Sequence, residues 1–140
     1  MKKYAPQNYE KEKLIRKLST YLSQQSEDLT AAYVHGSFIK SEHFSDIDLA
    51  VLMRTKTEET LTFELDLENE IGKLLELPVD VRILNAAPLS FCQNVVRHGK
   101  VILDRDANFR SDFEGKVLKM YFDFSRYRRR YLAGVSNAPV

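Results

Sequence analysis

The sequence predicts an α/β (α+β) fold: a mixed β-sheet of about four strands packed against helices, closed by a long C-terminal helix. Three observations predict it. Short apolar runs alternate with longer segments of helical period, the arrangement that lays helices on a sheet. Two runs, Ile47-Asp48-Leu49 and Val79-Asp80-Val81-Arg82-Ile83, alternate residue by residue, so each has one aliphatic and one charged face. Asn108 to Leu132 reads as one long helix with no proline inside it.

The elements follow in chain order. Residues 8 to 25 read as a helix, with Leu14, Leu18, Tyr21 and Leu22 at helical spacing. Ala31 to His35 is a strand ending at the Gly36 turn, and Ile47 to Met53 is the central strand. Lys56 to Glu76 is a helix with Leu61, Leu65, Ile71, Leu74 and Leu75 as its apolar side. Its glutamates, Glu64 and Glu68 among them, read as a solvated face. Pro78 introduces the strand that carries Asp80. Pro88 to His98 is a helix, with proline tolerated in the first turn and Gly99 as the stop. Lys100 to Leu103 is an edge-like strand, Asn108 to Leu132 the long helix, and Gly134 to Val140 a loose tail.

Composition narrows the class. At 140 residues and 44% hydrophobic content the chain suits one domain, 1–140, with a core over about 30–105 and the helix at about 108–132. A net charge of +1 excludes a global bias toward nucleic acid or membrane surfaces. Cys92 is the single cysteine, so no internal disulfide and no multi-cysteine zinc site is available. The start, Met1-Lys2-Lys3-Tyr4-Ala5-Pro6, leads into charged residues, and no apolar run approaches the ~20 residues of a membrane span. The expectation is a cytoplasmic protein.

The chemistry concentrates at Gly36-Ser37 and Ser45-Asp46-Ile47-Asp48. Asp46 and Asp48 point the same way from an extended strand, and two adjacent carboxylates repel unless cations lie between them. Mg²⁺ prefers such oxygen ligands and commonly shares them with phosphate. The Gly36-Ser37 turn offers backbone N–H groups and a hydroxyl to phosphate oxygens. If the Asp80 strand lies beside the first, Asp80 joins Asp46 and Asp48. Three carboxylates with two cations form the charge balance of a phosphoryl or nucleotidyl transfer site.

These residues, with Pro78-Val79-Asp80-Val81, Asn85-Ala86-Ala87-Pro88-Leu89, Val96 to Asp106 and Tyr121-Phe122-Asp123-Phe124, resemble the nucleotidyltransferase superfamily that includes DNA polymerase β. Within it, the chain is most similar to minimal nucleotidyltransferase (MNT, MntA-like) antitoxins that partner HEPN-domain toxins. The resemblance spans roughly residues 30 to 132. It implies a nucleotidyltransferase fold and an ATP-dependent transfer of AMP to a tyrosine hydroxyl of a HEPN-domain ribonuclease toxin. It also implies a hetero-oligomer with that toxin, with no membrane and no direct nucleic-acid partner. Asp46, Asp48 and Asp80 would hold two Mg²⁺ ions, Asp80 also drawing the proton from the attacking hydroxyl. Gly36 and Ser37 would hold the β and γ phosphates. The loop Phe38 to Ser45 is a residue or two shorter than is usual in the family, and Ser41 stands where glycine is common.

Several residues admit two readings. Lys40 is either a phosphate ligand or a solvated loop lysine. Asp80 could simply pair with Arg82. His35 reads as a hydrogen-bonded core histidine ahead of a catalytic base, and His43 and His98 as surface residues. The run Arg126-Tyr127-Arg128-Arg129-Arg130-Tyr131 is either a solvated helix end or a surface for an acidic partner, with RNA less favoured. Two alternative functions stand beside the first: a non-catalytic antitoxin acting by direct binding, and a nucleotidyltransferase of small molecules like the aminoglycoside-modifying relatives. No second domain is evident to build a small-molecule pocket, and a partner chain could supply the acceptor surface.

Overall fold

A computed structural model of the protein describes residues 8–56 and 58–137, and the side chains of 10–56 and 58–133. In order the elements are α1 (Asn8–Ser23), β1 (Leu29–His35), α2 (Ser37–Lys40), β2 (Ile47–Met53), α3 (Thr60–Leu75), β3 (Val79–Ile83), a 3-10 turn (Leu84–Ala86), α4 (Leu89–His98), β4 (Lys100–Asp104) and α5 (Ala107–Asn137). The strands form one mixed sheet in the order β3-β2-β1-β4. β1 is antiparallel to β2 and β4, while β3 runs parallel to β2.

Strand alternation sends alternate residues into two cores. On one face Ala32, Val34, Leu49, Val51, Val81 and Ile83 meet Leu18 and Leu22 of α1 and Leu67, Ile71 and Leu75 of α3. On the other, Ala31, Tyr33, Ala50 and Leu52 meet Cys92 and Val95 of α4 and Val117 of α5. Three layers result, and burying a large aliphatic side chain in them contributes about 1.5–3 kcal/mol each. Among the described residues, no helix is long and apolar enough to cross a membrane.

Four expectations need correction. The apolar side of α3 is Leu67, Ile71 and Leu75; Leu61, Leu65 and Leu74 are exposed. The helix starts at Thr60 because Asp28 holds the preceding turn, accepting from Thr55 N (3.2 Å) and Thr55 Oγ1 (3.0 Å). Its glutamates are not only solvated. Glu68 Oε1 accepts from Val81 N at 2.9 Å and Glu64 Oε2 from Ile83 N at 2.8 Å. β3 is an edge strand, so these carboxylates occupy donors that would otherwise lie open to another chain. Finally, α5 runs through Gly134 to Asn137, so the tail expected from Gly134 is helical that far; residues 138–140 lie outside the described residues, as do 1–7.

Two side chains fix the ends of the elements. Asn85 accepts from Met53 N at 2.9 Å and donates to Met53 O at 2.8 Å, continuing by side chain the ladder between β2 and β3. Arg105 donates to the carbonyls of Leu22, Ser23, Gln25, Ser26 and Leu29, closing the end of α1 that has no basic residue in its last turn. Gly99 ends α4 at φ −77, with no left-handed turn. A Cβ there would lie 2.6 Å from Val95 O and 3.2 Å from Val34 O, so close approach to backbone is what requires glycine.

Glu64→Ala and Glu68→Ala should each destabilise the protein by about 1 kcal/mol, the cost of a strand donor returned to water, and Gln at either position should recover most of it. Urea unfolding checks this; equal stability of the Ala and Gln variants would show that the bonds to β3 do not matter.

Candidate active site

The turn after β1 is set by glycine. Gly36 sits at φ 73, ψ −151, open to glycine at little cost, and starts the short helix α2. A Cβ on Gly36 would stand 2.1 Å from Asp48 Oδ2. The backbone of the turn thus presses against the carboxylate. Ser37 is the first residue of α2, and Lys40, exposed, is its last.

Strand register assembles the carboxylates. His35, Asp48 and Asp80 occupy one row across β1, β2 and β3: His35 opposes Asp48, and Asp48 opposes Asp80. All three lie on the face that α4 and α5 cover further along. Asp46 immediately precedes β2 and is half-buried, with Ser45 Oγ 3.4 Å from its Oδ1. Burial first, then the charges of Asp46 and Asp80, push the Asp48 carboxyl up from 3.8 to about 6. The three aspartates therefore share one electrostatic site. They do not form a finished cage: among the described residues no three His, Cys, Asp or Glu side chains are grouped closely enough to hold a metal ion. The donor set of carboxylate oxygens still suits a hard divalent cation, whose charge would relieve the conflict at Asp48.

Asp80 and Arg82 share a face, yet no ion pair joins them. The Arg82 guanidinium lies over the Phe91 ring, 5.3 Å from its centroid. Phe91 also meets His35 edge-on at 5.3 Å. His35 is not the hydrogen-bonded histidine expected: its Nε2 is buried without a partner. Burial holds its pKa below the usual value, with Asp80 opposing and Lys40 assisting. His43 and His98 are exposed, as expected.

The short loop is held by residues that its sequence does not advertise. Phe38 and Phe44 are buried and pack edge to face, centroids 4.9 Å apart. Lys11, from α1, donates to Phe38 O at 2.9 Å and Ser41 O at 2.6 Å, and its ammonium lies 5.5 Å from the Phe38 ring centroid. Ser41 is extended (φ −128, ψ 149), so no glycine is needed there. In the sequence Lys11 is one charge in Glu10-Lys11-Glu12-Lys13, and nothing local singles it out.

Comparison with known proteins places this geometry. Residues 16–108 match the family model "Polymerase beta, Nucleotidyltransferase". Among solved structures, the chain is similar to a toxin–antitoxin with AMP-PNP at 25% identity and TM-score 0.72, covering 87% of this chain and 98% of that one. It is similar at 25% identity and TM-score 0.71 to the structure of tri-AMPylated Shewanella oneidensis HEPN toxin in complex with MNT antitoxin, covering 90% and 98%. A toxin–antitoxin MntA–HepT structure shares the fold at 24% identity and TM-score 0.69, over 89% and 98%. None of the curated proteins matches the chain.

Two outcomes follow from the geometry. Gly36→Ala should cost several kcal/mol, combining a positive-φ penalty of about 1 kcal/mol with a clash. Adding Asp48→Ala should recover the clash but not the penalty, which a double-mutant unfolding cycle measures. For Asp48→Asn in chelator, the sign is set by proton binding. The folded state keeps the Asp48 proton to about pH 6, whereas the ordinary carboxyl value is 3.8, so wild-type stability falls as pH rises through that window. The variant's unfolding free energy should therefore gain on wild type between pH 4 and 7, by about 1–2 kcal/mol after allowance for solvent screening of a half-exposed group, as urea unfolding measures. A gap independent of pH would remove the charge conflict.

Proposed function

The chain belongs to the polymerase β nucleotidyltransferase family, and on that premise we propose that it transfers AMP from ATP to a tyrosine hydroxyl of a HEPN-domain toxin, acting as its antitoxin. The observation that carries the reading is the glycine turn pressed on Asp48, which in turn opposes Asp80 on the neighbouring strand. Phosphate-binding donors and a row of carboxylates thereby lie side by side. The relatives crystallised with AMP-PNP and with a tri-AMPylated HEPN toxin support the nucleotide and the acceptor.

Asp46, Asp48 and Asp80 would hold Mg²⁺, two ions on this reading, which supplies neutralising charge at the α-phosphate and the departing pyrophosphate. The chain's own residues do the rest. Gly36 and Ser37 orient the β and γ phosphates through backbone N–H and hydroxyl donors, and Lys40 adds a positive charge at the loop end. Lys11 holds the loop that carries them. Asp80, exposed at the sheet edge, faces the acceptor and takes the proton from its hydroxyl. The acceptor oxygen then bonds to the α-phosphorus as the bond to the bridging oxygen breaks and pyrophosphate leaves. The reaction belongs in the cytoplasm, where ATP is available and a free thiol such as Cys92 persists.

The test is incubation with α-labelled ATP, Mg²⁺, HEPN-domain proteins of the same organism and aminoglycosides. Label should appear on a tyrosine of a HEPN protein. Label on the small molecule would make the chain a drug-modifying enzyme, and protection from the toxin without label would make it a binding antitoxin. Asp46→Ala and Asp48→Ala should abolish transfer. Asp80→Asn should keep the melting-temperature rise caused by Mg²⁺ and ATP while transfer falls at least ~100-fold.

A further inference from the structure

Among the described residues, α5 is largely exposed from residue 118 to residue 133. Phe113 and Val117 pack into the core beneath the sheet, and Met120, Phe124, Tyr127 and Tyr131 continue their stripe at alternating spacings of four and three residues, the repeat of a helix that packs along another helix. These four side chains are 54–68% exposed. Burying such residues against a partner is the ordinary fate of a large apolar patch.

The direction of α5 explains the exposure. Near its start Asp106 pairs with Arg54 at 3.1 Å, just beyond the end of β2. Eight residues on, Glu114 accepts from Tyr33 Oη at 2.7 Å, in the middle of β1. The helix therefore climbs along β1 toward His35 and Gly36, the end of the sheet that carries Asp48 and Asp80. At ~1.5 Å per residue it passes that end near residue 120 and extends roughly 16 Å further by Tyr131. The uncovered stripe thus projects from the catalytic end of the molecule.

Charge selects the occupant. Arg128 and Arg130 flank the stripe on either side, with Arg126 and Arg129 nearby. A second copy packed in parallel register would set these arginines against their own kind, and like charges juxtaposed at an interface are costly. A helix of another protein with an apolar stripe and acidic flanks fits both features.

We propose that Met120, Phe124, Tyr127 and Tyr131, flanked by Arg128 and Arg130, dock an acidic-flanked helix of the acceptor protein and so bring its hydroxyl to the aspartate row. This rests on the transfer to a HEPN-domain protein proposed above. The test uses the full chain and the HEPN-domain protein of the same organism, with affinity read by calorimetry and transfer read separately. Phe124→Ser/Tyr127→Ser/Tyr131→Ser and, separately, Arg128→Glu/Arg130→Glu should each weaken binding and raise KM for the protein at least tenfold. The kcat at saturation should change less than twofold, and the Mg²⁺–ATP melting shift should stay. The arginine variant should also lose the salt dependence of association. Unchanged affinity in both variants overturns the proposal even where transfer is intact. So does an equal loss from Leu61→Ser/Leu65→Ser on α3, or a wild-type dimer that the stripe variant dissolves. Binding without label leaves the docking standing while the transfer reading fails, and absence of binding by wild type sinks both.

Discussion

The contact on which the site depends is between the backbone of Gly36 and the carboxylate of Asp48. It joins the two parts a nucleotidyl transfer site needs, a turn rich in N–H donors and a carboxylate that would hold a cation. It can exist only because residue 36 has no side chain and tolerates a positive φ. β1 and β2 deliver the two partners in antiparallel register, with His35 opposite Asp48. Parallel pairing then sets Asp80 opposite Asp48. The cost is visible in Asp48 itself, which is half-buried among like charges and keeps its proton to about pH 6 in the absence of a cation.

Much of this was legible because strand alternation has a period of two and admits no ambiguity of face. Asp48, Asp80 and Arg82 could be assigned to one side and Leu49, Val81 and Ile83 to the other from the string alone, and the structure puts them there. Helices are less decisive. α3 carries two sets of apolar residues on different sides, Leu61 with Leu65, and Leu67 with Ile71 and Leu75. Propensity cannot say which set meets the sheet. The choice is made by Glu64 and Glu68, which must lie toward β3 to reach its donors. That is tertiary information, invisible in a run of glutamates.

Side chains that act at long range were missed for the same reason. Lys11 is 27 and 30 residues from the carbonyls it holds, and Arg105 lies about 80 from those it closes. Each looks like any surface cation until the fold brings its partners together. His35 was read as satisfied, since buried imidazoles usually are. Here Phe91 and the strand register place it in the carboxylate row without a partner for Nε2. The glycine at 99 was identified correctly as a stop but for another cause, a crossing of backbones in place of a left-handed turn.

The layers are unequal, and that inequality shapes what the molecule can act on. α4 and the first half of α5 cover Ala31, Tyr33, Ala50 and Leu52, and at the end of the same face Phe91 packs on His35 while Asp80 lies exposed. On the proposed transfer, Asp80 on its exposed edge strand is accessible to an acceptor that brings its own surface. The helix whose first half packs over this face also runs on past its packed part, with Met120, Phe124, Tyr127 and Tyr131 exposed. A shorter helix ending over the sheet would expose less apolar surface, but it would also remove the docking surface proposed for the acceptor.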